Sequence, residues 1–119
     1  MTYAPFDLTG KTCLVTGGNR GIGLGMAEAL AASNADVAIW GRKADANKEA
    51  VAKLEKLGTG RVAAWEVDVG EEDQVVKAMA DTEAHFGRID TCIANAGVGR
   101  GASSFEEMTL DTWRFNHRI

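Results

Sequence analysis

Thr16-Gly17-Gly18-Asn19-Arg20-Gly21-Ile22-Gly23 follows directly on the apolar run Thr12-Cys13-Leu14-Val15. An apolar strand that ends in a glycine-rich turn and passes straight into a helix is, in physical terms, a phosphate cradle. Gly17 permits a tight turn where a side chain would clash, and Gly21 lets backbone approach a pyrophosphate. Gly23 lets the new helix pack closely on the sheet. The N-terminus of that helix adds unpaired N–H groups and a partial positive charge. A dinucleotide is the expected ligand of such a turn.

Outward from this turn, short β-branched runs alternate with longer helical stretches. Residues 12–16 read as a first strand, and 21–33 as a helix with Ile22, Met26, Ala29 and Leu30 on one face. Residues 36–40 form a second strand. A helix over 44–57 follows, with Ala50, Val51, Leu54 and Leu57 at helical spacing and Gly58 as its stop. Residues 61–67 read as a third strand and 71–86 as a third helix, with Val75, Val76, Met79 and Phe86 inward. Glu71, Glu72 and Asp73 suit the start of that helix dipole, and Gly87 ends it. A fourth strand spans 89–95. Crossovers of this length require a parallel sheet with right-handed connections. After Gly97 the texture changes to a flexible loop, and the helix that begins at 107–114 has no sustained apolar face. One domain over 1–119 is the expected division.

Composition sets the outer bounds. The chain has 119 residues, 45% of them apolar and 25% charged, the balance of a globular protein with its own core. A net charge of −4 without a basic cluster argues against a nucleic-acid partner. The first nine residues carry no secretory pattern, and no apolar run approaches membrane-spanning length, so no membrane partner and a cytoplasmic setting are expected. Cys13 and Cys92 sit in apolar strand runs and read as two buried, reduced thiols; a redox pair is the disfavoured alternative. His85 and His117 give no metal-ligand spacing with them, so no metal site is expected, and His85 reads as riding the solvent side of its helix. Trp65 and Trp113 read as packing residues, while Trp40 is left open because it ends a strand beside the turn.

The spacing Gly17-x3-Gly21-x-Gly23, behind Thr16, resembles that of the short-chain dehydrogenase/reductase family. Further residues carry the resemblance in order: Phe6-Asp7-Leu8-Thr9-Gly10-Lys11 as the lead-in, Asp68-Val69 after the third strand, Phe86-Gly87-Arg88-Ile89-Asp90 before the fourth and Asn95-Ala96-Gly97 after it. The nearest types are the ketoacyl reductases and sugar-acid dehydrogenases. The resemblance implies a Rossmann-like, three-layer α/β fold with strand order 3-2-1-4, truncated before the family's rear strands. It implies that Gly17, Asn19, Arg20, Gly21, Ile22 and Gly23 hold the dinucleotide. Asp68 would then accept from the adenine amino group with Val69 beside the ring; the bland reading of Asp68 is a loop or capping carboxylate. Asn95, Ala96 and Gly97 would brace the sheet and line the nicotinamide-ribose side, although Asn95 also suits an ordinary turn.

NAD enzymes of this architecture place an acid at the end of the second strand, where it accepts from the ribose 2′-OH. Here the stretch is Trp40-Gly41-Arg42-Lys43, with no carboxylate. Arg20 and Arg42 are suited to flank a 2′-phosphate with bidentate guanidinium contacts, so NADP is expected over NAD. The competing reading makes both ordinary surface arginines.

The family's chemistry uses a Tyr-x3-Lys pair with an upstream Ser and a helical Asn, the tyrosine exchanging a proton with substrate oxygen. The one tyrosine is Tyr3, ahead of the first strand and without a lysine at that spacing. Ser103 and Ser104 lie in the loop after the fourth strand, and Asn116 follows Trp113 too soon and in a polar tail. No catalytic residue is assigned. The expected function is that of a truncated oxidoreductase of this family, holding the NADP(H) pocket of an enzyme for a carbonyl or secondary alcohol and inactive alone. The alternative is a non-catalytic dinucleotide-binding module or regulator that self-associates or pairs with a full-length relative. A third, disfavoured reading is an active reductase with a relocated acid, Tyr3 or a residue of another chain.

Overall fold

The structure is a computed structural model and describes residues 4–119; Tyr3 lies outside the described residues. After a short 3-10 turn at Ala4–Phe6 come β1 (Thr12–Thr16), α1 (Gly21–Ala32), β2 (Asp36–Gly41), α2 (Ala44–Leu54), β3 (Val62–Glu66), α3 (Glu72–Phe86), β4 (Thr91–Ile93) and α4 (Leu110–Asn116). The four strands form one parallel sheet in the order β3-β2-β1-β4, as the strand–helix alternation requires. β1 is buried along its whole length, since it lies between two strands and under helices on both faces.

Alternate residues of the strands feed two cores. Cys13, Val15, Val37 and Ile39 pack with Ala27, Ala31, Ala50 and Leu54 of α1 and α2. Leu14, Ala38 and Trp40 pack on the other face with Ala78 and Phe86 of α3 and with Val67. The result is three layers with a sheet in the middle. Trp65 packs edge-on against Phe86, as expected of a packing residue, and His85 is exposed on its helix although its ring meets both.

Several helix faces differ from the expectation. α1 buries Gly23, Ala27 and Ala31, a stripe of small residues at every fourth position, whereas Ile22 is 74% exposed and Met26 and Ala29 also face out. Close approach of α1 to the sheet selects small side chains, so the larger apolar residues go to the open side. α3 buries Ala78, Thr82 and Phe86; Val76 is 64% exposed and Met79 is exposed too. α2 ends at Leu54, where bonds from Lys56 and Leu57 to carbonyls three residues back tighten the chain toward Gly58 and leave Leu57 exposed. Gly87 ends α3 in the left-handed conformation with φ 82°, as expected.

β4 is shorter than the expected 89–95. Beyond Ile93 the Asn95 N–H turns to the Ile93 carbonyl and to Thr16 Oγ1, so the ladder with β1 ends there. As β4 pairs only with β1, its residues Thr91 and Cys92 are exposed. Only Cys13 of the two thiols is buried, then, and both cysteines are free. They also point to opposite faces, because Cys13 is level with Thr91 and Cys92 with Leu14. α4 starts later than expected, at Leu110, because the Thr109 hydroxyl accepts from the Thr112 N–H and caps it. It buries none of its residues; Trp113 is 52% exposed and stacks on His117 instead of entering a core.

Candidate functional site

Strand order reverses between β1 and β4, the switch point at whose C-terminal ends a parallel sheet opens a crevice. A cleft of about 280 Å³ lies there. Gly17, Asn19, Arg20 and Gly21 of the β1–α1 turn form its floor. Trp40, Gly41, Arg42 and Lys43 at the end of β2, with Ala46 of α2, form one wall. Val67 and Val69 after β3 and Asn95, Ala96 and Gly97 after β4 complete it.

The glycine turn has the backbone such a cradle needs. Gly17 and Gly21 have φ of 67° and 59°, the left-handed region that a side chain disfavours. Gly23 has a different reason: a Cβ there would overlap the Gly17 carbonyl and the Asn95 amide, so only glycine lets α1 start this close to the turn. Arg20, the residue that caps α1, makes no side-chain bond to the first N–H groups of the helix. Thr16 locks the turn to the opposite wall. Its hydroxyl accepts from the Asn95 and Ala96 N–H groups at 3.1 and 3.0 Å. The Asn95 side chain donates to the Thr16 carbonyl at 3.1 Å and to the Gly17 carbonyl at 3.4 Å.

Arg20, Arg42 and Lys43 make the cleft lining cationic, and no carboxylate is among its lining residues. Of the residues expected to hold a dinucleotide, all but Ile22, Gly23 and Asp68 line the cleft. Gly23 is buried behind it and Ile22 faces outward. Asp68 is occupied by its own loop: Oδ1 accepts from the Gly70 N–H at 2.9 Å, and Oδ2 lies 3.9 Å from an Arg118 nitrogen. Trp40, left open by the sequence, lines the cleft while its indole N–H donates to Thr82 Oγ1 at 3.0 Å in the core. Lys43, Ala46 and Val67 add to the walls without having been singled out. The signal for Lys43 was its place beside Arg42.

The groups with perturbed acidity lie at the far end of β1. Arg88, 2.5 Å away, and then the Thr12 N–H hold the Asp90 carboxyl below the usual carboxylate range. Burial, then the Asp90 charge, pushes the Cys13 thiol up. Both effects are structural, since they secure the N-terminal ends of β1 and β4. Among the described residues no group of three His, Cys, Asp or Glu side chains could hold a metal ion, and no helix is long and apolar enough to cross a membrane.

Residues 11–116 match the family model for short chain dehydrogenase. The chain belongs to the short-chain dehydrogenase family. It is 42% identical to the sorbose reductase of Candida albicans, over 92% of this chain and 39% of the relative. Among solved structures, the NADPH-dependent 3-quinuclidinone reductase from Rhodotorula rubra superposes with a TM-score of 0.86 at 36% identity, covering 96% of this chain and 43% of that one. A short chain dehydrogenase from Burkholderia cenocepacia, solved in complex with NADP, gives 0.84 at 38% identity over 95% of this chain and 46% of that one. This short-chain dehydrogenase chain spans about two fifths of the length of the curated relatives it matches. Nicotinamide dinucleotides are the ligands of the family, and the glycine turn, the uncapped start of α1 and the cationic wall fit that ligand class.

Proposed function

We propose that this chain is the NADP(H)-binding portion of a short-chain dehydrogenase/reductase acting on a carbonyl or secondary alcohol. The observation that carries the reading is the cleft lining: Arg20, Arg42 and Lys43 share it and no carboxylate does. A carboxylate there would accept from a ribose 2′-OH and repel a 2′-phosphate; guanidinium groups do the reverse. The NADP complex and the NADPH-dependent reductase among similar structures agree with this choice.

In this reading the Gly17–Gly21 backbone and the start of α1 receive the pyrophosphate, with Gly23 and Ile22 shaping the helix behind them. Arg20 and Arg42 take the 2′-phosphate. Asp68 and Val69 serve the adenine end, where the Asp68 carboxylate keeps acceptor capacity beside its bond from the Gly70 N–H. Asn95–Gly97 border the nicotinamide ribose. When bound, the dinucleotide supplies or accepts a hydride. This chain's own residues contribute binding and orientation, because its sequence holds no Tyr-x3-Lys pair to move the proton.

The test is to offer the purified chain NADPH with a panel of aldehydes and ketones. The expected result is NADPH binding without carbonyl-dependent oxidation. Sustained, protein-dependent oxidation that disappears in Tyr3→Phe would contradict it and favour a relocated acid. The open β4 edge of the sheet favours a second reading, a non-catalytic module that pairs with a full-length relative. Stable co-purification with such a relative would support that one.

A further inference from the structure

We propose that Asn47 is a positioning residue for the cofactor cleft, holding the Gly41–Arg42 turn against the glycine turn so that Arg42 and Arg20 face one phosphate together. Asn47 sits in the first turn of α2, yet it is 4% exposed. A polar residue in an exposed first turn ordinarily points to water. Here its carboxamide reaches three separate elements. Nδ2 donates to the Gly41 carbonyl at 3.0 Å and to the Trp65 carbonyl at 3.2 Å, joining the C-terminal ends of β2 and β3. Oδ1 accepts from Asn19 Nδ2 at 2.8 Å, and Asn19 is the residue before Arg20 in the glycine turn.

Chemistry fixes the orientation of this amide. Two carbonyls demand the donor end, and the Asn19 donor demands the acceptor end. Gly41 is part of the same device, since a Cβ there would overlap both Asn19 Nδ2 and Asn47 Oδ1. The side chain that allows this approach is therefore no side chain at all. Asn47 itself does not line the cleft, whereas Asn19 does. Together they fix the distance between the backbone that carries Arg20 and the backbone that carries Arg42, which is the quantity two guanidinium groups must get right to share one phosphate. Position and chemistry both point past simple stability, toward discrimination of a 2′-phosphate.

The inference rests on the NADP(H) reading above, and the experiment separates the two. NADPH and NADH affinities are measured by calorimetry for the 119-residue chain, for Asn47→Ala, for Asn19→Ala and for the double variant, with a thermal melt of each. Asn19→Ala cuts the link to the glycine turn and leaves the β2–β3 tie in place, so it keeps the test alive if Asn47→Ala does not fold. The expected result is a loss of NADPH affinity of roughly five- to tenfold in each single variant, with NADH affinity changed less. The double variant is expected to match Asn47→Ala instead of multiplying the two losses, because the Asn19–Asn47 link is already broken there. Equal losses for the two cofactors, or multiplicative losses in the double variant, would overturn the positioning role while leaving the NADP(H) reading intact. A parent chain without preference for NADPH would overturn both.

Discussion

In the proposed NADP(H) reading, Arg42 is the residue on which cofactor choice turns. It follows the buried end of β2 and lines the cleft beside Lys43, where the absence of any lining carboxylate leaves the wall cationic. Arg42→Asp replaces a phosphate partner by a ribose partner. Charge-assisted hydrogen bonds are worth about 1.5–3 kcal/mol, so NADPH affinity is expected to fall roughly ten- to a hundredfold while NADH affinity holds or rises, as read by calorimetry. No fall for either would show that Arg42 is an ordinary surface arginine, and an equal fall for both would deny it the 2′-phosphate. The thiols give a second residue-scale prediction. Cys13 is buried and its thiol is held protonated, whereas Cys92 is exposed on β4. A thiol reagent at neutral pH is expected to modify one cysteine in the folded chain and two after denaturation, with mass mapping assigning the first to Cys92. Fast modification of both would contradict the core placement of Cys13.

At the scale of elements, the start of the sheet depends on Asp90. Its carboxylate accepts from the Thr12 N–H at 2.8 Å and pairs with Arg88, while its own N–H donates to the Thr12 carbonyl. The folded chain therefore holds the Asp90 acidity below its unfolded value. Above the unfolded value both states are ionised and the stabilisation is fully present. As pH falls toward the folded value the unfolded chain takes up the proton first, and the stabilisation is lost. Melting temperature is expected to drop between about pH 5 and pH 3, and Asp90→Asn is expected to flatten part of that drop. An unchanged acid slope in the variant would assign no such role to Asp90.

The same scale shows what the sequence could and could not tell. The strands and the β1–α1 turn were legible because β-branched runs and three glycines at fixed spacing admit few alternatives. The packing face of α1 was not legible. Ile22 and Met26 are more apolar than Gly23, Ala27 and Ala31, but only the smaller set fits a helix lying close on a sheet. Asp68 was found by its place after β3, yet its hydrogen bond to Gly70 is a matter of loop closure that spacing does not encode. Asn47 was missed because it looks like any polar residue in a first turn; its burial arises only when β2, β3 and the glycine turn converge on it.

At the scale of the whole molecule, the described sheet has an open edge at β4. β4 has a neighbour on one side only, and Val76 and Met79 of α3, with Ile22 and Met26 of α1, leave large apolar side chains in solvent. An open strand edge beside apolar surface is a template for another chain. The isolated chain is therefore expected to self-associate or to melt low, since losing even a few kcal/mol of packing matters against a total of about 5–15 kcal/mol. Ultracentrifugation across a concentration series checks this; a monodisperse monomer with a cooperative melt well above ambient temperature would contradict it. The proposed cleft at the strand ends, selective for a 2′-phosphorylated dinucleotide, is tested by parallel calorimetric titration of the unmodified chain with NADPH and with NADH. Saturable binding with clear preference for NADPH is expected; equal affinity for the two, or tighter binding of NADH, would overturn that selectivity.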